Sequence, residues 1–291
     1  MKKIDLVMFV YNEEKYINEQ LKSLLNQKKF INKVIIIDDF STDNTKNEIM
    51  KFMNKLNIIY KMNDKKGKIN ALAKGLSLVE SDYFLVCAGD DKFVDNVFEK
   101  LLNFINKLNI DFCYLNYYLT DQNLNVISIP QKKEYYFYKA LFYKNFVSGY
   151  LFGKKSIINT ILPINEKIPF EDWYVVLKLA IKYKKIYVFK EPAFYYRRHL
   201  NSTTYNTKSK EKYLHLIKRD LKLFKYIQKE ACFKYYKQYI DTKILYLELL
   251  LGKKQITLDN LKKIFFNKFI PIKDKLKVLI FNYYLKWKYD D

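Results

Sequence analysis

Two pairs of adjacent carboxylates close apolar runs of this chain. Asp38 and Asp39 end "KVIIIDD", and Asp90 and Asp91 follow "DYFLVCAG". Neighbouring acids repel one another, and near a low-dielectric core the repulsion is costly. A positive partner is therefore expected beside them for at least part of the time. Hard divalent cations take oxygen ligands and leave room for phosphates, so one or two carboxylates at Gly89-Asp90-Asp91, together with a diphosphate, would serve Mg2+ or Mn2+. A bare turn ahead of a helix near 94 explains the same residues without a ligand. A carboxylate of the Asp38-Asp39 pair could accept a hydrogen bond from an imide N–H such as that of uracil. Ser41, Thr42 and Asp43, just beyond, are helix-capping types.

The elements that must position these acids are legible in the first half of the chain. "IDLVMFV", "KVIIIDD", "NIIYKM" and "DYFLVCAG" read as buried strands. Between and after them, "EEKYINEQLKSLLNQ", "STDNTKNEIMKFMNKL", "KINALAKGLSLVE" and "VFEKLLNFINKL" carry apolar residues at helical spacing. This β-α alternation predicts a mostly parallel sheet with helices on both faces. Ligands of such sheets bind at the carboxyl ends of the strands, which places both acid pairs on one rim. From about residue 110 the pattern changes. "DFCYLNYYLTD" and "NVISIP" read as strands, "FVSGYLFGKKSII" as a strand entering a helix, "PFEDWYVVLKLAIKY" as a helix opening on acids, and "KIYVFKEPAFYYRRH" as extended chain. Polar "NSTTYNTKSKEK" marks a boundary near 205, and the remainder reads helical.

The bulk composition narrows the function classes. The 291 residues are 49% hydrophobic, which suits a folded chain with a sizeable core. The net charge is +22, but only Arg197, Arg198 and Arg219 are arginines. Nucleic-acid readers lean on arginine for bidentate contacts, so no nucleic-acid partner is expected. Attraction to an anionic membrane face or substrate fits the charge. Three scattered cysteines form neither a disulfide framework nor a zinc pattern, which points to a reducing compartment. No apolar run is long enough to span a membrane. The start, "MKKIDLVMFVYNEEKY", holds Asp5 and lacks a small-residue cleavage site, so it reads as a strand rather than a signal peptide. A cytoplasmic location is expected.

Five motifs in order, "FVYNEEKYINEQLKSLLNQ", "VIIIDDFSTDNT", "GKINALAKGL", "DYFLVCAGDD" and "FEDW", resemble a family 2 glycosyltransferase of the GT-A fold, over residues 4 to about 205. The resemblance implies a Rossmann-like α/β catalytic domain at 1–205, followed by a basic, aromatic-rich helical extension at 206–291. It implies an inverting transfer of a sugar from a nucleotide-sugar donor, expected to be a UDP-sugar, to a hydroxyl of a glycan acceptor in cell-surface polysaccharide or lipooligosaccharide synthesis. By motif position, Asp39 recognises the uracil, with Asp38 beside it. Val10 and Tyr11 pack on the base with Glu13 close by, and Gly67 and Lys68 lie near the sugar nucleotide. Asp91 is the implied metal ligand, with Asp90 adjacent and His199 as the late histidine that completes the shell; a structural histidine is the alternative for His199. The cofactor is a divalent cation, Mn2+ or Mg2+. The first position of the family's DxD motif is glycine here, Gly89. Asp172 is the implied general base, with Glu171 adjacent. Acids at a helix start are also ordinary, because the helix dipole favours them.

Rival readings make different demands. A nucleotidyltransferase usually carries a glycine-rich loop after its first strand, where this chain has "YNEEKY". A receiver domain needs acids at the end of that strand. A non-catalytic sugar-nucleotide-binding protein would release nothing from any donor. The extension mixes Phe, Leu, Ile and Trp with Lys, as in "FFNKFIPIKDKLKVLIFNYYLKWKY". It reads either as a peripheral membrane element that brings the enzyme to a lipid-linked acceptor, or as helices packed on the domain or on a second copy. The oligomeric state stays open.

Overall fold

The computed structural model describes residues 2–130, 134–136, 140–141, 150–169, 171–199, 210–267, 270 and 272–279. In chain order the strands are β1 (Ile4–Val10), β2 (Ile31–Asp38), β3 (Ile58–Met62), β4 (Tyr83–Ala88), β5 (Lys92–Phe93), β6 (Phe112–Thr120), β7 (Val126–Ser128), β8 (Tyr135–Tyr136), β9 (Leu151–Lys154), β10 (Lys185–Ile186) and β11 (Val188–Arg197). The α-helices are α1 (Ile17–Leu25), α2 (Thr45–Met50), α3 (Lys68–Ser77), α4 (Val97–Leu108), α5 (Ile158–Ile161), α6 (Glu171–Tyr183), α7 (Lys210–Ile227), α8 (Lys237–Leu250), α9 (Leu258–Phe265) and α10 (Ile272–Leu279).

The chain divides into two compact units. The first comprises residues 1–134, 147–166 and 185–199, and the second 135–146, 167–184 and 200–291. The expected boundary at 205 lies outside the described residues. The second unit also takes in α6, because Trp173 of that helix packs edge-on against Phe224 of α7 at 5.0 Å.

The first unit is a mostly parallel α/β sheet, in the order β3-β2-β1-β4-β9-β6-β11-β5, with β7 on β6. β1 runs parallel to both β2 and β4, and β2 parallel to β3. The β-branched run "VIII" and the largely apolar run "IDLVMFV" lie almost wholly buried in this centre, which is how a strand covered on both faces reads. α1 and α4 bury one stripe each, with Leu21, Leu24, Leu101 and Ile105 in the core. Asp5, an anomaly in an apolar strand, is fully satisfied at the opposite rim: its carboxylate accepts from Asn32 Nδ2, Glu80 N, Ser81 N and Ser81 Oγ. Register sets the site. Val10 pairs with Asp38, and Phe9 with Ala88, so the carboxyl ends of β2 and β4 flank the end of β1. Two strand spacings separate them, about 10 Å.

Two helices are shorter than their periodicity suggests. α1 begins at Ile17 rather than Glu13, and α2 at Thr45. The residues before each start are spent on holding the two loops together, as described below.

Among the described residues the second unit is helical apart from the short strand β8. Trp173 donates its indole N–H to Ala140 O at 2.7 Å, and Arg219 donates to Pro169 O at 2.7 Å. Among the described residues no helix is long and apolar enough to cross a membrane.

Candidate active site

The β1–α1 and β2–α2 loops are joined by reciprocal hydrogen bonds. Asn12 N donates to Ser41 Oγ (3.0 Å), Thr42 N to Asn12 Oδ1 (2.8 Å) and Glu13 N to Thr45 Oγ1 (2.7 Å). Glu14 N donates to Asp43 Oδ2 (3.1 Å), and Asn44 N returns to Glu14 Oε2 (2.9 Å). Despite its partial burial, Asp43 is held below the usual carboxylate range by hydrogen bonds from Thr45 and Glu14. Ser41, Thr42 and Asp43, read from sequence as caps, therefore also fasten one loop to the other. Loop polar groups satisfied in this way are preorganised for a ligand.

At the end of β2 the two acids have different surroundings. Asp38 is buried and accepts from Ser41 N (2.7 Å) and Tyr60 Oη (2.6 Å). Burial, with Asp38 adding to it, pushes the Tyr60 phenol up, so it remains a donor. Asp39 uses one oxygen, Oδ1, for both Asn63 Nδ2 and Gly67 N, each at 2.7 Å. Its Oδ2 takes no hydrogen bond among the described residues. Gly67 has φ +130°, a conformation that favours glycine, and it opens α3 at Lys68. Val10 is buried, whereas Tyr11 is exposed with the Lys66 ammonium 4.6 Å from its ring centre. Asn63 was missed from sequence. Its one signal is position, directly after β3 on the same rim.

At the end of β4 the arrangement is reversed. Asp91, the second acid, is only 1% exposed. Its Oδ2 accepts from Tyr150 Oη (2.5 Å) and its Oδ1 from Arg197 N (2.9 Å). Burial, and next the charge of Asp90, raises its pKa well above the usual carboxylate range. Tyr150 Oη also accepts from Ala88 N at 3.0 Å, and its ring stacks on Phe194 at 4.0 Å. Asp90 is partly exposed, and its Oδ2 lies 3.1 Å from His199 Nε2.

Arg197 ties this turn to its surroundings. Its Nε donates to Asp90 O (2.7 Å), its Nη1 to Gln122 O and its Nη2 to Glu19 Oε2, while its guanidinium lies 4.7 Å from the Tyr16 ring. The Tyr16 ring in turn packs 4.7 Å from that of His199. Arg197 spends all three kinds of guanidinium nitrogen on partners within the protein. It is buried and committed within the protein.

Gly89 has a local explanation. A Cβ there would come within 2.7 Å of Val10 Cγ1 and 3.1 Å of Glu13 Oε2 and Ile17 Cδ1. The Glu13 carboxyl thus occupies the space a side chain at 89 would need. Glu13 Oε2 is buried with no hydrogen-bond partner. Burial, then Asp90 and Asp91, raises its pKa well above the usual value, with Lys68 opposing.

Among the described residues no three His, Cys, Asp or Glu side chains suffice to hold a metal on their own. Asp90 with His199 still offers a hard oxygen and an imidazole nitrogen, beside the orphaned carboxylate oxygen of Glu13. Asp90 and His199 are donor types that could hold a divalent cation if further oxygen ligands came from outside the protein.

The first unit therefore gathers Glu13, Asp90, Asp91 and His199 at one strand end, and Asp38, Asp39 and Gly67 at the other. Glu171 and Asp172 belong to the second unit, in the first turn of α6, where Asp172 Oδ1 accepts from Trp173 N at 2.7 Å.

Comparison with known proteins agrees with this architecture. GlyG of Streptococcus pneumoniae, a glycosyltransferase, is 29% identical over 123 residues, 41% of this chain and 40% of GlyG. The chain thus matches less than half of that relative's length. WfaP of Escherichia coli, a UDP-Glc:alpha-D-GlcNAc-diphosphoundecaprenol beta-1,3-glucosyltransferase, is 26% identical over 71% of this chain and 81% of WfaP. The crystal structure of Staphylococcus aureus TarS 1–349 with UDP-GlcNAc superposes with a TM-score of 0.62 at 17% identity, covering 99% of this chain and 89% of that one, a likeness of fold. Residues 5–160, more than half of the chain, match the family model Glycosyl transferase family 2, and the chain belongs to that family.

Proposed function

We propose that the protein transfers a sugar from a UDP-sugar to a hydroxyl of a glycan acceptor, with inversion at the anomeric carbon. The observation that carries this reading is the pair of preformed carboxylate sites flanking the end of β1, one with Asp39 Oδ2 unused and one with Asp90 beside His199. Asp39 accepts the imide N–H of uracil, and Tyr11 lies along the base. Asn63 and Gly67 hold the Asp39 carboxylate in place by sharing its other oxygen. The names of WfaP and of the TarS complex, with UDP-Glc and UDP-GlcNAc, support a UDP donor.

Asp90 and His199 would hold a divalent cation, Mn2+ or Mg2+, which when bound supplies charge neutralisation at the departing diphosphate. Lys68, near enough to Glu13 to oppose its raised pKa, adds positive charge on the same side. Asp91 acts from behind: it fixes the turn through Tyr150 and Arg197. Asp172, by motif position, takes the proton of the acceptor hydroxyl, with Glu171 adjacent. The acceptor is lipid-linked, as in WfaP's name, and the enzyme works on the inner face of the membrane.

A panel of UDP-, GDP- and dTDP-sugars with Mn2+, read as nucleoside diphosphate release, tests this. Release from a UDP-sugar is expected. Preference for a GDP-sugar overturns the role of Asp39. Tight UDP binding with no release from any donor, with or without acceptor, favours a non-catalytic sugar-nucleotide-binding protein.

A further inference from the structure

The second unit carries an exposed apolar stripe that the glycosyl-transfer reading does not use. On α9, Leu258 is 70% exposed and Phe266, directly after the helix, 85%. Both lie at a spacing of four from Lys262, which is also exposed. They therefore form one face of the helix, while Ile264 on the opposite side is fully buried. Ile256 precedes this face, also exposed. On α10, Ile272 (76% exposed) and Leu276 repeat the i, i+4 pattern. Both helices pack against α8. Large aliphatic and aromatic side chains set singly on a surface need no explanation, but several aligned on consecutive helices do.

The lysines identify the occupant. Lys262 stands between Leu258 and Phe266, and Lys253, Lys254 and Lys263 are exposed around them. Asp259 is the one acid of α9, in its first turn, where the helix dipole accounts for it. A symmetric contact between two copies would bring this face against itself and set lysines against lysines. An anionic bilayer accepts both components: apolar tips enter below the headgroups while ammonium groups reach back to the phosphates. The sequence after α10, "IFNYYLKWKY", has the same mixture of aromatic residues and lysine, the composition of a membrane-interface segment.

We propose that the exposed faces of α9 and α10 dock the protein on an anionic phospholipid surface. This deepens the reading of a lipid-linked acceptor and rests on it for its purpose, but not for its test. The full chain is sedimented with vesicles of phosphatidylcholine, with and without phosphatidylglycerol. Binding about tenfold tighter with the anionic lipid, and weakened by salt, is expected. Leu258→Glu/Phe266→Glu/Ile272→Glu should reduce that binding at least about tenfold. Lys262→Glu/Lys263→Glu should remove the preference for anionic lipid. All three proteins should release UDP from a soluble UDP-sugar at the same rate, which also shows that they are folded. Unchanged sedimentation of the triple variant overturns the proposal. So does light scattering that shows a dimer abolished by the triple variant while vesicle binding persists. Vesicle binding as expected, with no UDP release by the parent chain, would sink the transferase reading and leave this one standing.

Discussion

The acid pairs at the ends of β2 and β4 are alike in sequence and opposite in arrangement. At β2 the first acid, Asp38, is the buried strut, held by Ser41 N and Tyr60 Oη, and the second, Asp39, uses only Oδ1 for its two hydrogen bonds among the described residues. At β4 the second acid, Asp91, is the strut, held by Tyr150 Oη and Arg197 N, and the first, Asp90, faces His199. Parity along the chain explains the switch. Asp38 is the last residue of its strand and still points into the sheet's layer of partners, whereas β4 ends at Ala88 and the turn carries Asp90 outward before Asp91 turns back in. In both pairs the like charges are reconciled by pointing the two carboxylates at different partners. A shared cation is not needed to explain why they are adjacent.

The largest effect should separate the two acids of the β4 pair. Asp90→Ala is expected to lower turnover about a thousandfold with little change in melting temperature. Asp91→Ala should instead destabilise the fold by about 2–3 kcal/mol, because it leaves the buried Arg197 N–H without an acceptor and the Tyr150 hydroxyl with only a long contact to Ala88 O at 3.4 Å. Thermal melts and UDP-release kinetics of both variants check this, and equal loss of stability in the two would break the comparison.

Next in size is Gly89→Ala. Its new Cβ meets Val10 and the Glu13 carboxyl, and overpacking of this kind costs about 1–3 kcal/mol. Pairing it with Glu13→Gln sharpens the account of the site. Glu13→Gln alone removes a buried carboxyl held next to two others, so the ligand-free protein should melt higher, by about 2–4 °C for each kcal/mol gained, and bind UDP with Mn2+ more weakly in titration calorimetry.

The smallest effect compares the two phenolic struts. Tyr150→Phe should cost about 1–2 kcal/mol in chemical denaturation, and Tyr60→Phe about 1 kcal/mol or less. Tyr150 is buried and serves Ala88 N as well as Asp91, whereas Tyr60 is only partly buried.

Much of this was legible in the residues. Alternating strands and helices predict that β1 to β4 run parallel, and that common direction puts their carboxyl ends on one rim. Asp39, Gly67, Asp90 and His199 were expected near a strand end from the sequence, and the fold places Asp39 with Gly67 and Asp90 with His199 at the ends of β2 and β4. Helix starts were less legible. Glu13 and Glu14 suit a helix by propensity, yet their N–H groups are taken by Thr45 and Asp43 from the neighbouring loop, so α1 waits until Ile17. Asn63 and Tyr150 carry no motif at all.

What the sequence determined by itself was therefore which residues reach the rim, since strand order and side-chain alternation are local properties of the chain. Which carboxylate of each pair is bound inside the fold and which keeps an oxygen outside that network was decided only by tertiary structure. The deciding donors come from Tyr60, Tyr150 and Arg197, which lie 22, 59 and 106 residues away from the acids they bind. A hydrogen bond depends on distance and angle in space, and no pattern along the chain records those until it has folded.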